Sequence, residues 1–407
     1  MADETRDASH SGPLSGIRVL DLATFIAAPF CGTILGEFGA EVIKVEQPGV
    51  GDSLRRFGTP SVVEDSYVWL SEARNKQSMT IDLRTVEGAV LIRKLVAHCD
   101  VLLENFRPGT LEGWGLDYES LAAINPRLVM LRVSAYGQTG PLRERPGFAR
   151  IAHAFGGLAH LAGEPGGIPV VPGSTSLADY ASGLFGAVGV LAALRHAERT
   201  GQGQVVDLAL YESIFRIMDE MLPAFAATGF VRQPMGADTV NVAPHSHYRS
   251  AQGDWIAIAC TNDRMWRRLA RAMQRPDLAD DLRFAHAAGR VANLETINGL
   301  VADWVGALDT EAVLDLCETF EVPASRLMTI ADIHGHPQYA ARENILLFDD
   351  GRAGLASIPA PVPRLSRTPA AITSLGPALG EDTADILARL LDLSAQDIAR
   401  LRAKSVI

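Results

Sequence analysis

The hydrophobic and polar positions of the first 210 residues alternate between two periods. Short apolar runs rich in β-branched residues predict buried strands at 17–22, 41–46, 100–104, 128–133 and 205–210. Apolar residues at helical spacing predict intervening helices at 29–38, 86–98, 118–124 and 176–199. Because strands that alternate with helices form parallel sheets through right-handed crossovers, we predict an α/β fold with a large, doubly wound (Rossmann-like) sheet.

The pattern changes after residue 221. Residues 224–243 are rich in small and turn-forming residues and show no clear period. A strand at 255–259 and helices at about 263–274, 293–307 and 310–319 follow. We therefore predict a smaller α+β domain at 222–330, inserted between segments 1–221 and 331–407 of the large domain.

Composition and charge narrow the class of protein. The 407 residues are 47% hydrophobic and carry a net charge of −11, which fits a globular protein and excludes disordered and disulfide-scaffold classes. A nucleic-acid binder normally carries the opposite charge, so we expect no nucleic-acid partner. The longest apolar run, 183–194, is shorter than the about 20 residues that span a bilayer, and the polar N-terminus lacks the features of a signal peptide. We expect a soluble, cytoplasmic protein without a membrane partner.

Cysteine and histidine spacing argues against a metal site. The chain has no CxxC pair, and its four cysteines are expected to be buried thiols in a reducing compartment: Cys31, Cys99, Cys260 and Cys317. Two histidine pairs, at 245/247 and 334/336, have i, i+2 spacing without further ligands at workable distances. We therefore predict no metal.

Three polar, glycine-containing segments lie next to predicted strand or helix ends, where open α/β sheets bind ligands. They are 104–109, 134–141 and 173–179. Asp179 in the third segment has two interpretations. It is either a first-turn acid that complements the helix dipole behind an N-cap at Ser176, or a carboxylate nucleophile in an apolar, glycine-lined pocket. The residues alone leave both open. The chain has no GxxxxGK[ST] phosphate loop and no GxSxG motif.

Taken together, the ordered motifs resemble the class III CoA-transferases, the family that includes formyl-CoA transferase and carnitine CoA-transferase. The resemblance runs from residue 14 to residue 407. The segments that carry it are LSGIRVLDL (14–22), AAP (27–29), GAEVIKVEQPGVGD (39–52), RNKQSMTIDL (74–83), ENFRPGTLEGWGL (104–116), GQTGP (137–141), RPGFARIAHAFGG (145–157), SLADY (176–180) and RTGQGQVVD (199–207).

The resemblance implies a function and a chemistry. Asp179 aligns with the family's nucleophilic aspartate, which forms a mixed anhydride and then an aspartyl-CoA thioester. Coenzyme A and acyl-CoA act as substrates with a small carboxylic acid, and no cofactor is tightly bound. The resemblance also implies an interlocked homodimer, in which both termini build the large domain and the middle of the chain builds the small one.

By similarity, a set of residues is expected to bind CoA, with Arg74 or Lys76 facing its nucleotide end. The set is Thr24, Phe25, Ala27, Arg74, Lys76, Asn105, Phe106, Arg107, Tyr136 and Arg145. A dicarboxylate acceptor would also need a cation for its distal carboxylate, and charge alone makes Arg55, Arg56 and Arg145 candidates. The backbone N–H groups that would hold the oxyanion are not specified by the sequence.

Two departures from related patterns bear on the substrate. Segments 55–60, 71–76, 144–153 and 174–180 resemble the succinyl-CoA:malate transferases, whose relatives accept citramalate, mesaconate or itaconate. Thr24 and Ile26 replace the histidine and glutamine of formyl-CoA transferase, which disfavours formate and oxalate. The family's racemases have a histidine and an aspartate where this chain has Phe148 and Ala149, and neither of these carries a proton. A racemase and a non-catalytic CoA-binding protein remain the alternatives to a transferase.

Overall fold

The computed structural model describes residues 12–407, and its larger unit is built on a six-stranded parallel sheet. The strands are β1 (Arg18–Asp21), β2 (Glu41–Glu46), β3 (Lys76–Thr80), β4 (Val101–Glu104), β5 (Val129–Ser134) and β6 (Val205–Ala209). They lie in the order β3-β2-β1-β4-β5-β6, and every neighbouring pair is parallel. This confirms the predicted α/β fold with a parallel sheet. Because the strand order reverses between β1 and β4, the crevice beyond their carboxyl ends is where such a sheet binds ligands.

Helices cover both faces of this sheet. In chain order, the helices of both units are α1 (Ala27–Glu37), α2 (Tyr67–Glu72), α3 (Val86–Val96), α4 (Thr110–Gly113), α5 (Tyr118–Ile124), α6 (Ala149–Phe155), α7 (Leu158–Leu161), α8 (Leu177–Thr200), α9 (Leu210–Arg216), α10 (Met221–Thr228), α11 (Asp263–Ala272), α12 (Asp277–Asp280), α13 (Ala287–Ala292), α14 (Leu294–Gly306), α15 (Thr310–Thr319), α16 (Ile330–Gly335), α17 (Pro337–Ala341), α18 (Thr383–Leu391) and α19 (Ala395–Ala403). Successive strand side chains point to opposite faces. Leu20 and Leu102 accordingly pack with α3, α18 and α19, whereas Val19 and Val101 pack with α1 and α8.

The smaller unit has its own sheet and core. Strands β7 (His245–Arg249), β8 (Trp255–Ala259) and β9 (Ala324–Arg326) form an antiparallel sheet in that order. Helices α11 to α15 pack on it around the fully buried side chains of Trp266 and Phe284. A separate antiparallel pair, β10 (Ile345–Asp349) and β11 (Leu355–Pro359), belongs to the larger unit.

The unit boundaries differ from those expected at 222 and 330. The larger unit comprises residues 12–159, Val171–Val231 and Ala341–Ile407, and the smaller unit comprises His160–Val170 and Arg232–Ala340. Residues 160–170 join the smaller unit partly because the Gly236 N–H donates to the Gly163 carbonyl (2.9 Å). The prediction that the polar N-terminus is not a signal peptide concerns residues 1–11, which lie outside the described residues.

One edge strand was not predicted, and one helix is more apolar than expected. Strand β3 has the polar sequence KQSMT, and its buried Lys76 pairs with Asp21 and donates to the Pro29 carbonyl. Helix α8 is long and apolar enough to cross a bilayer by length and composition, as the core helix of a soluble protein also is. Half of its apolar window is buried within the protein. The four cysteine side chains are buried, as predicted.

Candidate active site

Asp179 lies in the first turn of α8, directly after a short 3₁₀ turn at Pro172–Ser174. Ser176 is the N-cap residue, but its side chain makes no capping hydrogen bond, contrary to the expectation. Its carbonyl accepts from the Asp179 N–H (2.9 Å), and the Ala178 N–H instead donates to Nε2 of His153 on α6 (3.0 Å). A buried imidazole therefore caps α8 immediately before Asp179.

Burial favours the neutral forms of the two side chains next to this helix start. Burial raises the pKa of Asp179 from 3.8 to about 7. Burial, followed by the positive charge of Arg150, lowers the pKa of His153. Because Nε2 of His153 accepts a hydrogen bond, the neutral ring carries its proton on Nδ1. Carboxylate and carboxylic acid forms of Asp179 therefore interconvert near neutral pH.

A cavity of about 480 Å³ opens beside Asp179, and we call it the Asp179 cavity. Its apolar lining residues are Phe25, Ile26, Phe57, Phe148, Ala149 and Val171, of which three are aromatic. Its polar lining residues are Arg150, His153, Thr175, Ser176 and Asp179. The Phe25 ring makes edge-to-face contacts with Phe57 (5.6 Å between centroids) and Phe148 (6.4 Å). An acid of raised pKa and three phenylalanine rings therefore line the same cavity.

A second cavity, of about 360 Å³, lies at the carboxyl ends of the sheet strands, and we call it the strand-end cavity. It is lined by residues that follow β1, β2, β3 and β4, among them Thr24, Gln47, Arg84 and Phe106. Phe25 and Phe148 line both cavities, so the two spaces adjoin. This is the position at which a doubly wound sheet receives a nucleotide-containing ligand.

The loop between the cavities is fixed at the point where the strand order reverses. The Thr24 N–H donates to Oδ1 of Asn105 (2.8 Å), and Nδ2 of Asn105 donates to the Thr24 carbonyl (2.6 Å). Phe25 has a left-handed backbone, with φ of 63°, and its N–H donates to Oδ1 of Asp52 (3.0 Å). Asp52 is itself buried against Lys44 (3.0 Å). Such strain in a phenylalanine backbone persists only where its surroundings impose it.

Some of the residues expected to bind CoA are brought together and others are not. Thr24, Phe25 and Phe106 line the strand-end cavity, and Asn105 bonds to Thr24. Ala27 is buried in the first turn of α1. Arg107 is exposed beside Phe106 but does not line the strand-end cavity.

The two cations expected at the nucleotide end form buried ion pairs. Nε of Arg74 bonds to Glu37 (2.7 Å), and Nζ of Lys76 bonds to Asp21 (3.0 Å) and to the Pro29 carbonyl (2.6 Å). Both side chains are buried, because each satisfies a buried carboxylate, and neither lines the two cavities described above.

Two further candidates lie outside both cavities. Tyr136 packs edge-to-face on Phe155 (5.2 Å) and near Tyr211 (6.3 Å). Arg145 is exposed in the turn that follows β5. Neither residue lines the Asp179 cavity or the strand-end cavity.

Three basic residues at the cavities were missed by the sequence analysis. Arg150 and His153 line the Asp179 cavity, and Arg84 lines the strand-end cavity, where it also pairs with Asp82 (2.8 Å). Arg150 and His153 have i, i+3 spacing on α6, which places them on one helix face. This spacing could have shown that Arg150 and His153 share a helix face, but it does not indicate that the face lines a cavity.

The chain is similar to known proteins over most of its length. The model of CoA-transferase family III matches residues 14–383. The chain is 53% identical over 397 residues to the succinyl-CoA–L-malate CoA-transferase beta subunit of Chloroflexus aurantiacus, covering 97% of this chain and 98% of the relative. It is 43% identical over 395 residues to the succinyl-CoA–D-citramalate CoA-transferase of the same organism, with 97% and 98% coverage. A CAIB/BAIF family protein from Brucella suis has a similar crystal structure, with a TM-score of 0.83, 35% identity, and coverage of 93% of this chain and 100% of that one.

Proposed function

This chain belongs to CoA-transferase family III and is a CoA-transferase, and we propose that it moves CoA from succinyl-CoA to a C4 or C5 dicarboxylic acid through Asp179. Malate, citramalate, mesaconate and itaconate are the acceptors we propose. The observation that carries the nucleophile assignment is the position of Asp179, whose burial raises its pKa to about 7 at a cavity with an aromatic wall. The names of the malate and citramalate relatives support the substrate assignment.

The proposed cycle is a double displacement on one carboxylate. Asp179 attacks the succinyl thioester carbonyl, the C–S bond breaks, and a mixed anhydride and CoA thiolate form. The thiolate then attacks the Asp179 carbonyl carbon, releasing succinate and leaving an aspartyl-CoA thioester. The acceptor carboxylate attacks this thioester and expels the thiolate again. Attack of the thiolate on the acceptor's acyl carbon releases the new CoA ester and regenerates Asp179.

The environment of Asp179 suits both requirements of this cycle. A desolvated carboxylate is a better nucleophile than a hydrated one, and the raised pKa reports that desolvation. The anhydride and thioester intermediates also have to be protected from water. We propose that Phe25, Phe57 and Phe148 provide this protection, since they are the aromatic residues that line the cavity.

We propose that CoA lies across the strand-end cavity, with its thiol directed past Phe25 toward Asp179. The loop at Thr24 and Phe25 would approach the CoA chain, and Phe106 would contact it. Arg84 is an exposed cation at this cavity, and Arg107 is exposed next to Phe106. Both are suited to phosphate groups because they remain accessible to solvent, unlike Arg74 and Lys76.

We also propose the interlocked homodimer that the family resemblance implies. One side of α8 supports it, because large apolar residues at helical spacing are exposed there: Leu184 (55%), Val188 (66%) and Leu191 (42%). An apolar stripe of this kind on a helix is typical of an interface.

A racemase would need a second base at the Asp179 cavity, and the residues that line it do not supply one. Phe148 and Ala149 occupy the positions of the racemase acid–base pair, and neither exchanges a proton. His153 lines the cavity, but its Nε2 already accepts the Ala178 N–H, and its Nδ1 is buried. The transferase therefore fits the cavity better.

The test is CoA transfer from succinyl-CoA to the four proposed acids, with products identified by mass spectrometry. Wild type should form a new dicarboxyl-CoA, and intact-protein mass spectra should detect the CoA adduct on the protein. Asp179→Asn should form neither. Asp385→Asn on α18 removes an exposed carboxylate and serves as the matched control. Transfer by Asp179→Asn at the wild-type rate, or the absence of any dicarboxyl-CoA product from wild type, would contradict the proposal.

A further inference from the structure

A dicarboxylate that reacts at Asp179 brings a second, ionised carboxylate into the same cavity, and this group needs a partner once it leaves water. Among the cations that the sequence suggested, Arg55 already forms ion pairs within the protein. Its guanidinium is buried and bonds to Glu46 (2.7 Å) and Asp65 (2.9 Å). Arg56 donates to the Val50 carbonyl (2.7 Å), and it does not line the Asp179 cavity.

Arg150 differs from Arg55 and Arg56 in its position and in its contacts. It lines the Asp179 cavity from the first turn of α6, and it is exposed. Its charge is felt at His153, whose pKa it helps to lower, after burial. Within residues 12–407, no carboxylate forms an ion pair with Arg150.

Arg150 is also not engaged by the nucleophile. Burial alone accounts for the raised pKa of Asp179, whereas a nearby guanidinium would lower it. The cavity therefore presents a nucleophile and a separate, available cation. That arrangement matches a diacid whose one end reacts and whose other end is only held.

We propose that Arg150 binds the distal carboxylate of the donor's succinyl group and of the acceptor acid in turn, and so makes the enzyme selective for dicarboxylates. This inference rests on the proposed function, in which both acyl groups occupy the Asp179 cavity successively. A guanidinium binds a carboxylate through two parallel N–H donors, so it orients the diacid as well as attracting it.

The experiment compares two donors that differ at one group. Succinyl-CoA and butyryl-CoA have the same chain length, but butyryl-CoA ends in a methyl group in place of the distal carboxylate. Arg150→Gln should lower kcat/KM for succinyl-CoA by on the order of 30- to 100-fold and for butyryl-CoA by less than about threefold, as expected for loss of one charge-assisted interaction. Arg150→Lys should recover part of the loss. Arg402→Gln, at an exposed arginine on α19, is the matched control and should behave as wild type.

Each outcome separates this inference from the proposed function. Equal losses for the two donors, or no loss for succinyl-CoA, would overturn the role of Arg150 while leaving the transferase assignment intact. If wild type transfers CoA to no dicarboxylate, the proposed function itself fails. Thermal unfolding of Arg150→Gln should match wild type, because the residue is exposed and unpaired within the described chain.

Discussion

Replacing Asp179 by asparagine separates the energetic cost of this carboxylate from its function. Burial raises its pKa from 3.8 to about 7, so between these pH values the folded chain holds a proton that the unfolded chain has lost. A rise in pH through this window therefore destabilises the folded wild-type protein. The Asp179→Asn variant keeps the side-chain shape but has no proton to lose, so its stability should lack this pH-dependent loss.

The magnitude follows from the two pKa values. Within the window, each pH unit changes the free energy of unfolding by about 1.36 kcal/mol. At pH 5 the folded-state carboxyl of Asp179 is still protonated, and at pH 8 it is ionised. The stability of Asp179→Asn relative to wild type should therefore increase by on the order of 3 kcal/mol from pH 5 to pH 8. CoA transfer by this variant should be lost over the same range.

Urea unfolding at pH 5, 6, 7 and 8 would measure this difference. Asp385→Asn is the control, since it removes an exposed carboxylate. The difference in unfolding free energy between wild type and this variant should be the same at pH 5 and pH 8. In wild type, kcat/KM for the acyl-CoA donor should fall about tenfold per pH unit below pH 7, because the free nucleophile becomes protonated. If the stability difference between wild type and Asp179→Asn is the same at pH 5 and pH 8, the carboxylate is not desolvated and the reasoning fails.

Two further predictions concern water exclusion and helix packing. Phe148→Ala should raise succinyl-CoA hydrolysis relative to transfer by about tenfold, because it removes an aromatic ring from the lining of the Asp179 cavity. Hydrolysis is measured as thiol release without a new CoA ester, and an unchanged ratio would contradict this prediction. Gly183→Ala should destabilise the protein by about 1–3 kcal/mol, since the added Cβ would lie 2.9 Å from the Ala27 carbonyl oxygen. Gly299→Ala lies in an exposed helical position with open space around it, so it should instead stabilise the protein by roughly 0.5–1 kcal/mol. Thermal unfolding of the two glycine variants and of wild type measures both effects.

Hydrophobic periodicity was sufficient for most of the large sheet and insufficient for its polar strand. The apolar run at 41–46 coincides with β2, and the alternation of strands with helices predicted the parallel arrangement. Strand β3 was missed because Lys76 breaks the pattern, and its burial depends on Asp21, a residue 55 positions earlier in the chain. Long-range pairing of this kind is not visible in a local window.

The same limit applied to the candidate site. Asp179 was found because it lies in a polar segment at the start of a predicted helix, and that position is visible in the sequence. The Phe25 loop was expected only from the family resemblance. Arg55 and Arg150 could not be ranked by sequence, since their difference lies in what each contacts. Arg55 is ion-paired with Glu46 and Asp65, whereas Arg150 lines the Asp179 cavity and forms no ion pair among the described residues.

The buried charges of the larger unit serve two purposes that require opposite arrangements. Asp52 is paired with Lys44 and holds the strained backbone of Phe25 through a hydrogen bond, so its charge maintains geometry. Asp179 is half-buried and desolvated without such a partner among the described residues, and a cation beside it would stabilise the carboxylate and weaken it as a nucleophile. In the proposed cycle, acylation removes the charge of Asp179. The first covalent step therefore relieves the desolvation cost that the free enzyme carries, and Arg150 can hold the ligand without abolishing that driving force.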